Sequence, residues 1–492
     1  MRFIGKDPNI IDAYYTATAE GAITAGKPVI VEADGDVAQA AEIPAGVGAE
    51  AVFDSATNIG GSGYFNSAYD SANNKIVIAY RVSGQGYKGY AVVGTISGTS
   101  ISFGTPVQFS PGTDRVKKTV AISYDASAGK VVIFYSNIDN SSYAAAVVGT
   151  VSGTSISFGS TVVFDSSGVA FDSAYTASAT YHSGENVNVL SYRNSASTLS
   201  TIACSVSGTT PTFGSQVVVG GNSLFINNVY DVSADRIVTA LELSAANGVI
   251  AVSSCSGTTM TTRNTGEEFS SGGTDYIDLA YDSVNEKTVV VYNRQSDSSK
   301  GYGQVITVGA TGIGTGNPTV FESSGSSEWI SAAYDVSAGK IVVVSSSAAD
   351  SNSGQIYVGS VSGIDISFSG KLAFNGTSVT SLLIRATYAE TEQQTCISYV
   401  DYGNSQRGSA ILYSNISSNV TSKNYIGIAA DTYADNEDST IGIVGCVDRN
   451  QTGLTAGQQY FVQADGTLST TAGSPSVLAG TAISATELVV KE

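Results

Sequence analysis

A tyrosine–aspartate pair that recurs about every 53 residues most constrains the fold of this chain. The intact pairs are Tyr69-Asp70, Tyr124-Asp125, Tyr230-Asp231, Tyr281-Asp282 and Tyr334-Asp335, and degenerate copies stand at Tyr181-His182 and Tyr388-Ala389. Their spacing stays between 49 and 57 residues. Because similarity at a fixed period is typical of repeat architectures, we interpret residues from about 50 to 420 as seven repeats, numbered 1 to 7 by these tyrosines.

Each repeat contains four strand-like segments separated by turn residues. The first ends in Tyr-Asp, and in repeat 2 it is followed by a β-branched run at Lys130–Tyr135, an alternating segment at Tyr143–Ser152 and a last segment at Ser155–Phe164. No 3.6-residue periodicity intervenes. Four short antiparallel strands in such a repeat predict the blade of a β-propeller. A β-solenoid would have shorter coils, and tandem sandwiches would need about 100 residues per unit.

The ends of the repeat region predict how the propeller closes. Fourth segments end near Phe109, Phe164, Val219, Phe269, Phe321 and Phe374. Repeat 7 has no such segment, whereas a matching piece, Ala51–Asp54, stands before repeat 1. We therefore predict an all-β, seven-bladed propeller over residues 49–420 that is closed by the N-terminal strand, because this arrangement leaves no open sheet edge.

The two ends of the chain resemble each other. Residues Gly21–Gly35 align with Thr452–Gly466, and both contain Thr-Ala-Gly, a strand and then Ala-Asp-Gly. The Asp-Gly step is typical of a tight turn after a strand. Since a closed ring brings its ends together, residues 1–48 and 421–492 are expected to form one small discontinuous β domain.

The C-terminal segment also carries a family resemblance. The pieces that carry it are Asn450–Gly457, Tyr460–Val462, Asp465–Leu468 and Ala479–Ser484. They resemble the ends of tailed-phage virion proteins, in particular tail-fibre and appendage-like surface components of phages of marine bacteria. The resemblance covers about 70 residues and, more loosely, the N-terminal copy. It implies attachment to a particle through the terminal domain and outward display of the propeller.

Composition narrows the classes of function. The 23 Lys and Arg residues against 42 Asp and Glu give a net charge of −19, which disfavours a nucleic-acid partner because phosphate binding needs clustered cations. One His and four Cys disfavour most zinc and haem sites, so neither a metal nor a cofactor is expected. The abundant glycine, 54 residues, fits many tight turns.

The chain shows no targeting signal that we recognise. Met1–Pro8 contains charge and proline in place of an apolar signal segment, and no run of 18 apolar residues is present. The cysteines, Cys204, Cys255, Cys396 and Cys446, are widely spaced and are predicted to be buried free thiols. We expect synthesis in the host cytoplasm, no membrane insertion and a final location in the virion.

The acidic residues and the single histidine are the groups that could carry out chemistry. The repeated aspartates, such as Asp70 and Asp125, are predicted to cap their own turns, and His182 is predicted to do the same. Candidate carboxylates for glycoside hydrolysis are Glu242, Glu267, Glu268, Glu322 and Glu328. No spacing selects two of them, and the sialidase-type Ser-x-Asp-x-Gly-x-Thr-Trp box is absent. The protein is therefore expected not to be an enzyme.

Polar connections between second and third strands supply the predicted binding face. Its candidate residues are Arg81, Tyr87, Arg193, Arg294, Trp329, Tyr402 and Arg407. Aromatic and arginine side chains on scaffolded loops suit sugar stacking and forked hydrogen bonds. The leading hypothesis is a virion tail fibre or adhesin that binds a host glycan or protein, with its terminal domain docking to other virion proteins or self-associating. The alternatives are a capsid or filament decoration protein and a glycan depolymerase.

Overall fold

The computed structural model describes residues 13–32, 34–43, 46–55, 59, 65–168, 175–243, 247–309, 312–375, 381–415, 417–421, 423–473 and 476–491. The chain divides into two compact units, Met1–Gly46 with Ser414–Glu492, and Val47–Tyr413. No α-helix occurs in these described ranges, and four single 3₁₀ turns lie at Ser83–Gln85, Gln295–Asp297, Ala348–Asp350 and Tyr402–Asn404. Accordingly, the described residues include no helix that is long and apolar enough to cross a membrane.

In the described residues, six short strands precede the first repeat. They are β1 (Tyr14–Thr18), β2 (Pro28–Val31), β3 (Val37–Gln39), β4 (Glu42–Ile43), β5 (Gly46–Val47) and β6 (Ala51–Asp54). The first four belong to the terminal unit.

Repeats 1 to 3 form antiparallel meanders of similar design. Their strands are β7 (Asn66–Asp70), β8 (Lys75–Val82), β9 (Lys88–Ser97), β10 (Ser100–Phe103) and β11 (Val107–Gln108); β12 (Val116–Asp125), β13 (Lys130–Asn137), β14 (Tyr143–Ser152), β15 (Ser155–Phe158) and β16 (Val162–Asp165); and β17 (Ala177–His182), β18 (Val187–Arg193), β19 (Thr198–Ser207) and β20 (Thr210–Phe213). In repeat 1 the order across the sheet is β10-β9-β8-β7, and β11 also pairs with β9.

Repeats 4 to 7 continue the pattern. Their strands are β21 (Val217–Asp231), β22 (Arg236–Leu243), β23 (Gly248–Ser256) and β24 (Thr259–Ser270); β25 (Thr274–Asp282), β26 (Lys287–Arg294), β27 (Lys300–Val308), β28 (Ile313–Thr315) and β29 (Thr319–Glu322); β30 (Ser327–Asp335), β31 (Lys340–Ser347), β32 (Ser353–Ser362) and β33 (Asp365–Ala373); and β34 (Ser381–Ala389), β35 (Gln394–Asp401) and β36 (Arg407–Ser414). The long strand β21 pairs with β19 of repeat 3 and then begins repeat 4.

The predicted fourth segment differs from the structure in four repeats. In repeat 1 it is two strands, β10 and β11, which both pair with β9. Gly104 lies at the break and approaches the carbonyl oxygen of Thr154 so closely that a Cβ would collide with it. Repeats 2, 3 and 5 are also split, whereas β24 and β33 run continuously with register shifts. The outer strands therefore bend at defined points.

The aspartate that ends the first strand caps the turn to the second strand, as predicted. The Oδ1 atom of Asp70 accepts hydrogen bonds from the backbone N–H groups of Ala72 at 3.2 Å and Asn73 at 3.1 Å. Equivalent bonds are accepted by Asp125, Asp231, Asp282 and Asp335. The turn-capping prediction is confirmed, because each carboxylate satisfies donors of its own turn.

The first strands of successive repeats pack side by side. Hydrogen bonds join them, such as the 2.6 Å bond from Ser331 Oγ to Asp278 Oδ2. The hydroxyls of Ser67 in repeat 1 and Thr387 in repeat 7 lie 2.6 Å apart. Strand β6 pairs antiparallel with β36, so the strand before repeat 1 extends the sheet of repeat 7. The repeat unit is thus an all-β, propeller-like set of sheets.

A phenylalanine of the outer strand packs directly over a glycine of the third strand. In repeat 1 the Phe109 ring covers Gly89, and in repeat 7 the Phe53 ring of β6 covers Gly408 in the same way. A side chain at either glycine would collide with the ring. Phe53 and Phe109 are both buried in the apolar core of their sheets.

The terminal unit contains two five-stranded sheets. Its remaining strands are β37 (Ser417–Ser418), β38 (Tyr425–Ala429), β39 (Asp438–Gly442), β40 (Val447–Asp448), β41 (Gln459–Val462), β42 (Leu468–Ser469), β43 (Leu478–Ala482) and β44 (Leu488–Val490). One sheet has the order β1-β39-β38-β2-β3 and so mixes both ends of the chain; the other has the order β40-β44-β43-β41-β42. One apolar core of the terminal unit contains Ile30, Ile428, Tyr460 and Leu488.

Candidate functional site

Four aromatic rings from four repeats meet where the first strands converge. They are Tyr175, Phe225, Tyr276 and Trp329. Ring centroids lie 5.4 Å apart for Phe225 and Tyr276 and 5.1 Å apart for Tyr276 and Trp329. Tyr175 lies 6.1 Å from Phe225 and 6.2 Å from Trp329. We call these four residues the aromatic cluster. Phe225, Tyr276 and Trp329 are only partly buried, whereas Tyr175 is buried.

A repeated backbone irregularity positions these rings. The φ angles are +47° at Phe225, +49° at Tyr276 and +55° at Trp329, in the left-handed region that side chains disfavour. Each residue lies within a register shift between the first and second strands. Such a conformation costs about 1–3 kcal/mol per residue and concentrates at functional sites. A β-bulge re-aims a side chain, so three successive bulges aim three rings at one place.

Three acidic residues adjoin the aromatic cluster along or across the strands, and we call Glu242, Asp275 and Glu328 the carboxylate group. Glu242 pairs with Leu224, the neighbour of Phe225. Asp275 directly precedes Tyr276, and Glu328 directly precedes Trp329. Burial raises the pKa of Glu242 to about 7, and the charge of Asp275 adds to the effect. The pKa of Glu328 is raised by the same two causes. Burial also raises the pKa of Asp275, whose Oδ2 accepts a 2.5 Å bond from Gln295 Nε2.

A buried polar network supports the aromatic cluster. Asp278 is fully buried and accepts bonds from Ser331 Oγ at 2.6 Å and from the Ala332 backbone N–H at 3.1 Å. Burial raises the pKa of Asp278, and the Arg385 guanidinium opposes that shift. The same guanidinium lies 4.2 Å from the ring centroid of Tyr175. Repeats 5, 6 and 7 are therefore tied together next to the rings.

Arg81 and Tyr87, two residues of the predicted binding face, are in contact in the structure. The Arg81 guanidinium lies 4.8 Å from the Tyr87 ring and donates a 3.1 Å bond to the carbonyl of Val116. Arg81 is 6% exposed, and burial lowers its pKa to about 10. Tyr87, at 43% exposure, is the accessible member. Arg81 thus joins two repeats, and a ligand role for this pair stays a prediction.

The other predicted residues lie apart. Arg193 donates a 2.9 Å bond to Asn222, and Arg294 lies 4.2 Å from the Tyr302 ring. Tyr402 is exposed in a 3₁₀ turn, and Arg407 starts β36 opposite Asp401. Trp329 belongs to the aromatic cluster. A binding role for these loop residues also stays a prediction.

The structure distinguishes among the candidate carboxylates. Glu242 and Glu328 belong to the carboxylate group, whereas Glu267 and Glu268 are exposed on β24. Glu322 is 2% exposed and accepts bonds from Lys371 at 2.6 Å and Tyr357 at 2.6 Å, which is a structural role. Sequence reasoning missed Asp275. The sequence feature that could have identified it is an acidic residue directly before an aromatic one, which occurs at Asp275-Tyr276 and again at Glu328-Trp329.

His182 has the predicted turn role. Its Nδ1 atom accepts a 3.2 Å bond from the Glu185 backbone N–H, which an aspartate oxygen does in the other turns. The four cysteines are free thiols, with Cys204, Cys396 and Cys446 buried and Cys255 partly exposed, which corrects the prediction for Cys255. Within the described residues, no group of three or more His, Cys, Asp or Glu side chains is arranged to hold a metal ion.

Comparisons with known proteins give structural likenesses only. No protein-family model and no curated protein sequence matches the chain. The NanB sialidase of Streptococcus pneumoniae is similar with a TM-score of 0.44 at 11% identity, over 74% of this chain and 70% of that chain. The SapL1 lectin, in complex with α-methyl fucoside, gives a TM-score of 0.37 at 13% identity, over 68% of this chain and 98% of that chain. A Trypanosoma rangeli sialidase is similar with a TM-score of 0.38 at 9% identity, over 81% of this chain and 59% of that chain.

The expectation that the protein is not an enzyme is corrected by these likenesses. The similar structures include sialidases as well as a lectin. The absent sequence box was a weak reason for exclusion, because residues of three repeats meet in the carboxylate group and no local motif records such a site.

Proposed function

We propose that the protein binds carbohydrate on the aromatic cluster, at the convergence of the first strands. One observation carries the proposal: the partly buried residues Phe225, Tyr276 and Trp329 form one aromatic cluster, and half-buried carboxylates adjoin them in the same three repeats. Aromatic faces pack against the apolar faces of sugar rings, and carboxylates accept hydrogen bonds from sugar hydroxyls. The buried Asp278 network holds the rings in place, which reduces the ordering cost of binding.

Trp329→Ala tests this site against the predicted loop face. A glycan array followed by calorimetry on the best ligand should show at least about a 10-fold loss of affinity, since large aromatic anchors dominate binding energy. Tyr402→Ala removes an exposed aromatic of the loop face and Tyr14→Ala one of the terminal unit, so neither should change affinity. A folded Trp329→Ala protein with unchanged affinity, or loss only in Tyr402→Ala, would reject the site.

The repeat unit is proposed to be a seven-bladed propeller closed by β6. The pairing of β6 with β36 and the contact between Ser67 and Thr387 support this. Hydrogen exchange tests it, because a closing strand must be protected by the global stability of the ring. Amides of Ala51–Asp54 should exchange as slowly as those of Val107–Gln108. Fast exchange confined to Ala51–Asp54 would mean that the ring is not closed by this strand.

The protein is further proposed to be a component of a phage virion, of tail-fibre or adhesin type, that binds a host-surface glycan. The resemblance of residues 450–484 to virion proteins supports this. The terminal unit is proposed to dock to virion proteins or to self-associate, and an apolar cavity of about 400 Å³ lined by Tyr15, Val31, Tyr425 and Val444 offers a contact surface.

Purified particles test the virion proposal. Mass spectrometry should find the chain in the particles, and labelled antibodies should place it on a tail or fibre. Even distribution over a capsid would favour the alternative of a decoration protein. Absence from purified particles would reject a virion role.

Glycoside hydrolysis is a second candidate function, and the raised pKa of Glu242 favours it. A carboxyl with a pKa of about 7 is about half protonated at neutral pH, so a large share of the molecules carries the proton that a general acid donates. Asp275 or Glu328 would then serve as the second carboxylate. Incubation with host polysaccharide should release new reducing ends, and Glu242→Gln should abolish the release. Release by Glu242→Gln at the wild-type rate would exclude this assignment.

A further inference from the structure

We infer that the glycan carries a protonated amine, so that the site is selective for amino sugars with a free ammonium group. The inference rests on the proposed carbohydrate-binding function and specifies its ligand class. Three carboxylates and three partly buried aromatic residues from repeats 4, 5 and 6 together form the recognition surface.

Within the described ranges, the carboxylate group forms no ion pair with Lys or Arg. Other acidic groups do have such partners: Glu322 is paired with Lys371 at 2.6 Å and Asp297 with Lys300 at 3.0 Å. Half-buried carboxylates gain most from an added cation, because their interaction with it is less screened than at the open surface.

The rings suit a cation as well as a sugar face. An ammonium is attracted to the face of Trp or Tyr within about 6 Å of the ring centroid. The rings of Tyr276 and Trp329 lie 5.1 Å apart and are inclined at 55°, which forms a corner between two faces. The aromatic cluster already holds one cation, since the Arg385 guanidinium lies 4.2 Å from the Tyr175 centroid.

The same arrangement disfavours acidic sugars. A sugar carboxylate would lie beside Asp275 and Glu328 in a chain whose net charge is −19. Like charges brought together across an interface lower affinity, and this provides selectivity against anionic ligands.

The test compares two oligosaccharides that differ at the amino group: a glucosamine oligomer, which carries ammonium groups, and its N-acetylated form, which carries uncharged acetamide groups. Calorimetry should show the free-amine oligomer binding at least about 10-fold more tightly. Raising salt from about 0.1 M to about 1 M shortens the screening length from about 10 Å to about 3 Å and should reduce that preference. Asp275→Asn combined with Glu328→Gln should bring the ratio of the two affinities close to one, because the charges that favour the ammonium group are then removed.

Glu268→Gln is the matched control, because Glu268 is exposed on β24 and its loss changes net charge by the same unit per residue. It should leave the preference intact. Equal affinity for the two oligomers would overturn the ammonium inference and leave the carbohydrate site standing. A preference that persists in the double variant would also overturn it, since attraction to the acidic chain as a whole would then explain the difference. Failure of every sugar to bind would overturn both proposals.

Discussion

The hydroxyl of Tyr80 donates a 2.7 Å hydrogen bond to the carboxylate of Asp54. Tyr80 is fully buried in the second strand of repeat 1, and Asp54 ends β6, which pairs with the third strand of repeat 7. Similar bonds join Tyr192 to Asp165 at 2.9 Å and Tyr357 to Glu322 at 2.6 Å. In each case a tyrosine of one repeat binds an acid at the end of the preceding outer strand. The Tyr80–Asp54 bond links repeat 1 to the strand added to repeat 7.

Tyr80→Phe should therefore destabilise the repeat unit. It removes one hydroxyl from a bond to a charged acceptor and leaves the ring in place, so the expected loss is about 1.5–3 kcal/mol of unfolding free energy. Urea unfolding followed by intrinsic fluorescence measures the loss. Tyr14→Phe is the control, because Tyr14 is exposed in the terminal unit. A change below about 0.5 kcal/mol in Tyr80→Phe, which is normal for surface substitutions, would contradict the linking role.

The interaction of Glu322 with Lys371 should make stability depend on acid pH. Burial raises the pKa of Glu322, but hydrogen bonds from Lys371, Ser324 and Tyr357 outweigh it and lower the value to about 2. Since the folded pKa lies below the ordinary value of 4.5, the stabilisation is present above that value and is lost as pH falls towards 2. Lys371→Met should cost about 2 kcal/mol at neutral pH and shift acid unfolding to higher pH.

Lys300→Met is the matched control for that experiment. Lys300 pairs with Asp297 at 3.0 Å, and both side chains are about one-third exposed, so solvent screening should make the loss clearly smaller than in Lys371→Met. Equal losses in the two lysine variants would show that burial of Glu322 adds nothing to its pair. If Lys371→Met unfolds at the same acid pH as the wild type, protonation of Glu322 does not cause the acid unfolding.

The sequence predicted the all-β class because turn residues and β-branched runs are local signals. Asp70 and its equivalents cap their turns as expected, since an aspartate reaches donors two and three residues ahead. The split of the outer segment was missed. It depends on how closely Gly104 approaches the next repeat, and that is a tertiary contact with no local signature.

The aromatic cluster was only partly visible in the sequence. Phe225, Tyr276 and Trp329 each stand five residues before the tyrosine of their repeat, and this signal could have grouped them. Their positive φ angles were not predictable, because surrounding strands impose the bulge against the residue's own preference. The raised pKa of Glu242 depends on burial and on Asp275 in another repeat, so it required the folded chain.

His182 should make the protein less stable in mild acid. Its ring stacks on Tyr230 with centroids 4.0 Å apart, and its Nε2 lies 3.4 Å from Asp235 Oδ1. Burial lowers the pKa of His182, although Asp235 and Glu185 oppose the shift. Because the folded pKa lies below the ordinary value of 6.5, the unfolded chain binds more protons near that pH, and stability is lost as pH falls through 6.5 and below.

His182→Asn should reduce this loss, because an asparagine oxygen can accept the bond from the Glu185 backbone and does not titrate. Melting temperatures at about pH 7.5 and about pH 5.5 should differ less in the variant than in the wild type, since the two values bracket the ordinary histidine pKa. The chain has one histidine, so its imidazole NMR signals report the pKa without ambiguity. A pKa at or above 6.5, or an unchanged temperature difference in His182→Asn, would show that burial of this ring does not govern acid stability.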